Sequence, residues 1–221
     1  MSASTEKKQR QAAREAGTDK KTLAEQEAAK KKAKSNRRWT LGTIGVILLI
    51  ALILFLNSSF LYTHTTAISI GDASYSPAEV SYVYANRYYN WIQSYGSYAS
   101  IFGLDTSTGI AGLKQQECPM YDDGRTWGDY FMDEARSELS QMTVLCAWAD
   151  ANGITLTDEE IAEVDDSIAT LDSSARAGGY ASGDKYFSAN YGTGVTSAIV
   201  REMALKSALA NKASSEYAAS L

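Results

Sequence analysis

The residues Trp39 to Leu56, WTLGTIGVILLIALILFL, form an uncharged run of 18 with glycine only near its start. At the helical rise, such a run spans about 27 Å, enough to cross the hydrocarbon core of a bilayer. A helix of this length inside a soluble core would normally keep a polar face, and this one has none. The run therefore predicts a transmembrane helix over 39–56. Lys34, Arg37 and Arg38 precede it, and no Lys or Arg follows until Arg87. The positive-inside rule then places the N-terminus in the cytoplasm and the C-terminal part outside. The competing reading is a cleaved signal peptide. Against it stand a long basic lead, a long apolar run and no small-residue cleavage pattern in NSSFLYTHTTA. Asn57-Ser58-Ser59 matches a glycosylation acceptor beside the membrane.

Charge divides the chain at the same place. The formal net charge is −5, but residues 1–38 hold 12 of the 21 Lys and Arg and 5 of the 26 Asp and Glu. That segment is near +7 and the remainder near −12, halves that rarely share one folded unit. The first 38 residues are rich in Ala, Lys, Glu and Gln and have little apolar surface to bury. They predict a disordered cytoplasmic tail, with a transient helix over 22–34 at most. Its Lys30-Lys31-Lys32, Lys34, Arg37 and Arg38 suit anionic lipid head groups, or simply fix orientation; a nucleic-acid partner is not expected. Residues 57–66 read as a juxtamembrane linker, and 67–221 as an extracytoplasmic domain.

In that domain, Ala67 to Ser76 reads as two short strands around Gly71-Asp72. Ser76-Pro77-Ala78-Glu79 is a capping box with proline at the first helical position. Val80, Tyr84, Tyr88, Trp91, Tyr95 and Tyr98 then recur at helical spacing as an apolar stripe, with Tyr82 and Tyr89 nearly opposite. Gly103 to Gly124 has no pattern, and its length suggests a mobile or functional loop. Thr126 with Asp129 opens a second helix, whose stripe is Trp127, Phe131, Ala135, Leu139, Met142, Cys146 and Ala149. Gly153 can close it in a left-handed conformation. Thr157 with Glu160 opens a third, carrying Ile161, Val164, Ile168, Leu171 and Ala175. A short helix over 184–190 follows, then a last one from about Thr196 with Ile199, Met203 and Leu209. The fold class is mainly α: one transmembrane helix, then four or five helices after a short β element.

No catalytic constellation appears. His64 is the single histidine, and zinc spacing, nucleophile elbow, P-loop and dinucleotide fingerprint are all missing. The acidic run from Asp158 to Asp166 lacks EF-hand spacing and reads as a solvated helix face. Glu138 sits at the edge of a stripe and reads as rotated to solvent. No metal or cofactor is expected. Cys118 and Cys146 would close a loop of 29 residues if bonded, a contribution of roughly 3–4 kcal/mol; two free thiols, with Cys146 in the core, are the alternative. Seven of the 14 tyrosines lie between Tyr75 and Tyr98. Tyrosine offers large contact area at low entropic cost and a hydroxyl to bond with, so Tyr82 and Tyr89 are candidate contacts for unfolded polypeptides. Core packing is the alternative for them, and the reading for the stripe.

Three segments carry a resemblance. They are Ala67-Ile68-Ser69-Ile70-Gly71-Asp72 with Tyr75-Ser76 and Glu79-Val80; Asn152-Gly153-Ile154-Thr155-Leu156-Thr157-Asp158-Glu159-Glu160; and Tyr186-Phe187 with Asn190-Tyr191-Gly192. Their order resembles the N-terminal chaperone domain of the SurA and PrsA type of extracytoplasmic foldase, in its membrane-anchored form, over about residues 67–215. The resemblance implies a helical cradle for unfolded or newly translocated, secreted polypeptides. Many such foldases add a parvulin domain with peptidyl-prolyl isomerase activity. No residue of this sequence matches a parvulin site, so no catalytic residue is carried over. The expectation is a chaperone-only member or the N-terminal part of a longer isomerase. A non-catalytic envelope scaffold is the reading from a different class.

Overall fold

The computed structural model describes residues 3–17, 20–56 and 58–220, and divides into two units, 1–58 and 59–221. Asn57, which opens the glycosylation motif, lies outside the described residues.

The first unit holds α1 (Ala3–Glu15) and α2 (Lys20–Leu56). Among the described residues the basic segment is helical over Ala3–Glu15 and from Lys20 onward, where a disordered tail was expected. Ala, Lys, Glu and Gln are strong helix formers, and no glycine or proline interrupts the chain between Lys20 and Gly42. α2 runs unbroken for 37 residues from the basic segment into the apolar run. Where polar sequence gives way to apolar, Thr40 Oγ1 donates to the Asn36 carbonyl at 2.9 Å and Thr43 Oγ1 to that of Trp39 at 3.0 Å. Both hydroxyls are thus satisfied within the helix, which suits an apolar surrounding. Large apolar side chains from Leu41 to Phe55 are exposed all round. Among the described residues, this one helix is long and apolar enough to cross a membrane.

The second unit is mainly helical and opens with α3 (Phe60–His64). Strands β1 (Ile68–Ile70) and β2 (Ala73–Tyr75) pair antiparallel, Ile68 opposite Tyr75 and Ile70 opposite Ala73. Gly71 turns the hairpin at φ 57°, a conformation that costs other residues steric strain. α4 (Pro77–Tyr95) starts on the expected capping box: Ser76 N–H donates to Glu79 Oε2 at 2.7 Å, and Glu79 N–H to Ser76 Oγ at 3.3 Å. Thr126 with Asp129 and Thr157 with Glu160 close the same box for α6 (Trp127–Ala151) and α7 (Asp158–Ala177). Gly153, at φ 68°, follows α6 as expected. α8 (Gly183–Tyr191) and α9 (Ser197–Ala219) complete the chain.

α6 is the spine, packing on α4 and α9, while α7 lies against α8 and α9. Trp127, Phe131, Ala135, Leu139, Met142 and Ala149 are buried along one face of α6, as the stripe demanded. α4 serves three core clusters: hairpin, α6 and α9 in the middle, the 103–124 region at its C-terminal end, and α8 with the start of α9 near its N-terminus. Its stripe holds from Val80 to Trp91, then fails. The helix stops at Tyr95, a 3-10 turn takes over at Gly96–Tyr98, and Tyr95 and Tyr98 face outward.

The 103–124 region is tied down. It contains α5 (Gly109–Gly112) between two 3-10 turns, and Leu104, Leu113 and Cys118 are fully buried. Gln116 Oε1 accepts from Asp105 N–H at 2.7 Å, and its amide donates to the Asp105 carbonyl and Thr108 Oγ1. The expectation of a mobile loop fails because three isolated apolar residues anchor it without any period to announce them.

Candidate functional site

Tyr82 and Tyr89, the two candidate contacts, lie on a second buried face of α4 and both meet the ring of Tyr191 on α8. The centroid distances are 5.5 Å for Tyr82 and 5.4 Å for Tyr89. Tyr89 Oη also donates to the Asn190 carbonyl at 3.0 Å. Burial, then the neighbouring Tyr186, Tyr82 and Tyr89, push the Tyr191 phenol up to about 12. The two tyrosines therefore join α4 to α8. Tyr89 serves that joint and also packs on Tyr88 at 5.4 Å. Tyr82 also reaches the surface, and its placement there defines the best candidate site.

Two adjoining clefts share Tyr82, Ala204 and Ala208 in their walls. One, of about 450 Å³, lies between α7 and α9 and carries Val164, Ile168 and Leu171 from α7. The other, of about 340 Å³, lies between α4, α6 and α9 and carries Asn86, Glu138 and Asn211. Val200, Ala204 and Ala208 recur every four residues, so small and branched side chains line one face of α9 and leave room above it. That spacing is present in the sequence, where the larger Ile199, Met203 and Leu209 of the same helix mask it.

α7 explains why the cleft is open. Of its residues only Ala175 is buried; Ile161, Val164 and Ile168 are half-covered, and Leu171 is 41% exposed. Its apolar stripe thus exists as expected, without a partner for the whole of it. Polar contacts hold the helix along its length: Glu160 accepts from Lys212 Nζ on α9 at 2.8 Å, Arg201 on α9 forks onto Asp165, and Asp172 accepts from the Gly183 N–H. Within the acidic run Glu160 and Asp165 make ion pairs, while Asp158, Glu159, Glu163 and Asp166 stay exposed. Glu138 is not free in solvent but pairs with Arg87 of α4 beside the cleft.

A second apolar exposure lies at the far end of α4. Tyr95, Tyr98 and Phe102 are exposed there, with Ile101 78% exposed. Phe102 packs against Trp91 and Tyr95 at centroid distances of 5.8 and 6.3 Å. Another cleft, of about 620 Å³, runs beside β2 and is lined by Thr143, Val144, Cys146 and Lys206.

Cys118 and Cys146 are free thiols, which corrects the possible disulfide. Cys118 N–H donates to the Arg125 carbonyl, just before α6, whereas Cys146 lies 19 residues into that helix. Nineteen residues of helix span about 28 Å, and a disulfide needs Cα atoms within about 7 Å. Burial pushes both thiols up, so neither is an activated nucleophile. His64 stacks on Phe60 at 4.2 Å, and its Nδ1 lies 2.7 Å from Thr63 Oγ1, a local contact at a helix end. Among the described residues, no group of three or more His, Cys, Asp or Glu can hold a metal ion.

Comparison of the chain with known family models, with curated proteins and with solved structures finds no match.

Proposed function

We propose that the chain is a membrane-anchored chaperone of the SurA and PrsA kind, whose helical domain holds apolar segments of unfolded or newly translocated polypeptides outside the membrane. The basic segment is cytoplasmic, 39–56 crosses the bilayer, and the domain faces the other side. One observation carries this reading: α7 leaves Val164, Ile168 and Leu171 incompletely covered over the small residues of α9, with Tyr82 in the wall. An apolar wall over a shallow floor accepts many side chains, because burying apolar surface is non-directional and needs no fixed partner geometry. The exposed Tyr95, Tyr98, Ile101 and Phe102 add a second surface of the same character.

The test uses the full chain in lipid nanodiscs and light scattering from a chemically unfolded model protein. Near-stoichiometric protein is expected to suppress aggregation, and Leu171→Asp to lose most of that effect while keeping the native circular dichroism. Leu171 is exposed enough for the substitution to leave the core intact. No suppression beyond empty nanodiscs would overturn the proposal.

A further inference from the structure

The Tyr82 groove has a uniform charge. Its lining carries three ionisable carboxylates, Glu138, Glu160 and Glu163, and no Lys or Arg. Two of the three are already answered from outside the lining, Glu138 by Arg87 and Glu160 by Lys212. Glu163 has no ion pair among the described residues. It stands one turn from Glu160 and beside Val164, at the edge of the apolar wall. The neighbouring Asp158, Glu159 and Asp166 are exposed and share its sign. The cations of α9 are committed, Arg201 to Asp165, Lys206 to Glu79 and Glu202, and Lys212 to Glu160.

Resting on the client-binding reading above, we infer that this groove selects apolar polypeptide segments that carry a lysine or arginine, and places that cation against Glu163. The apolar wall supplies the attraction common to all clients. Glu163 supplies the discrimination: a client cation relieves the repulsion among the α7 carboxylates, whereas a client carboxylate adds to it. The cation keeps its head in water while its stem lies along Val164 and Leu171, as long basic side chains do. A segment with an acidic residue at the same place leaves like charges facing each other over an apolar surface.

The experiment reads fluorescence anisotropy of three labelled apolar peptides, identical but for one central Lys, Gln or Glu, with the full chain in nanodiscs of uncharged lipid. The expected order is Lys tightest and Glu weakest, about threefold per step at low salt and compressed at high salt. Glu163→Gln is expected to remove most of the ordering and leave the Gln peptide's affinity unchanged. Lys212→Gln, which releases the Glu160 carboxylate, is expected to widen the ordering. Equal affinity of the Lys and Glu peptides for the wild type overturns this inference and leaves polypeptide binding standing. An order that persists in Glu163→Gln overturns the placement. Binding of none of the three peptides overturns the client-binding reading, and this inference with it.

Discussion

Lys206 Nζ on α9 donates to Glu79 Oε1 on α4 at 2.9 Å, while the other oxygen of the same carboxylate closes the cap of α4. One buried side chain thus fastens a helix start and a contact between two helices 127 residues apart in sequence. Burial alone would raise the Glu79 carboxyl, but the Ser76 N–H and the Lys206 ammonium outweigh it and hold it below its ordinary 4.5. A carboxylate lowered by folding contributes stability above its ordinary value and loses it as pH falls through the native one. The domain is expected to weaken as pH drops below 4.5. Glu79→Gln should cost about 2 kcal/mol at neutral pH and flatten that acid limb. Urea titrations from neutral to acid pH check both, and an unchanged acid limb would count against the pair.

The α4–α8 joint separates two tyrosine substitutions. Tyr89→Phe keeps the ring contacts and loses one hydrogen bond, so about 1 kcal/mol is expected. Tyr191→Ala removes the ring that both Tyr82 and Tyr89 meet, and about 3 kcal/mol is expected. The raised Tyr191 phenol contributes stability below its ordinary 10 and loses it as pH climbs toward about 12. Alkaline unfolding followed by tyrosinate absorbance reads this directly: Tyr191→Phe should remove one late-titrating phenol and leave those of Tyr84 and Tyr121, which burial also pushes up to about 12.

Thiol chemistry distinguishes the two cysteines. Cys146 is partly exposed and Cys118 is not, so a thiol reagent should modify Cys146 slowly in the native protein and Cys118 only after unfolding. Alkylation in denaturant without reductant should label both. A single mass matching an internal disulfide would contradict the arrangement.

Thr157→Ala should cost about 1 kcal/mol by leaving the first turn of α7 uncapped. Because α7 forms one wall of the groove, hydrogen exchange in residues 158–168 is expected to quicken more than in α6. Uniform quickening across the domain would mean that α7 has no separate stability.

Much of this fold could be read before it was seen. The three capping boxes, the Gly71 hairpin and the α6 stripe are local patterns, and each appeared where residue spacing put it. Other features depend on partners distant in sequence. Tyr82 and Tyr89 looked like an outward face because the α6 side of α4 was already accounted for by Val80 to Trp91. Only the return of α8 shows that α4 is covered twice. Leu104, Leu113 and Cys118 have no period to reveal their burial. The groove was the least legible part. Its floor is made of alanines, which draw no notice in a hydrophobicity pattern, and its wall is a stripe that any reader would assign to the core.

The half-covered face of α7 also has a calorimetric meaning. A helix whose apolar residues are left partly in water contributes less to its own domain's stability than its sequence permits. Whatever settles on that face completes the burial, and the folded state gains by mass action. The melting temperature of the domain would then rise with client concentration, so heat alone, with no label on either molecule, would report how full the groove is.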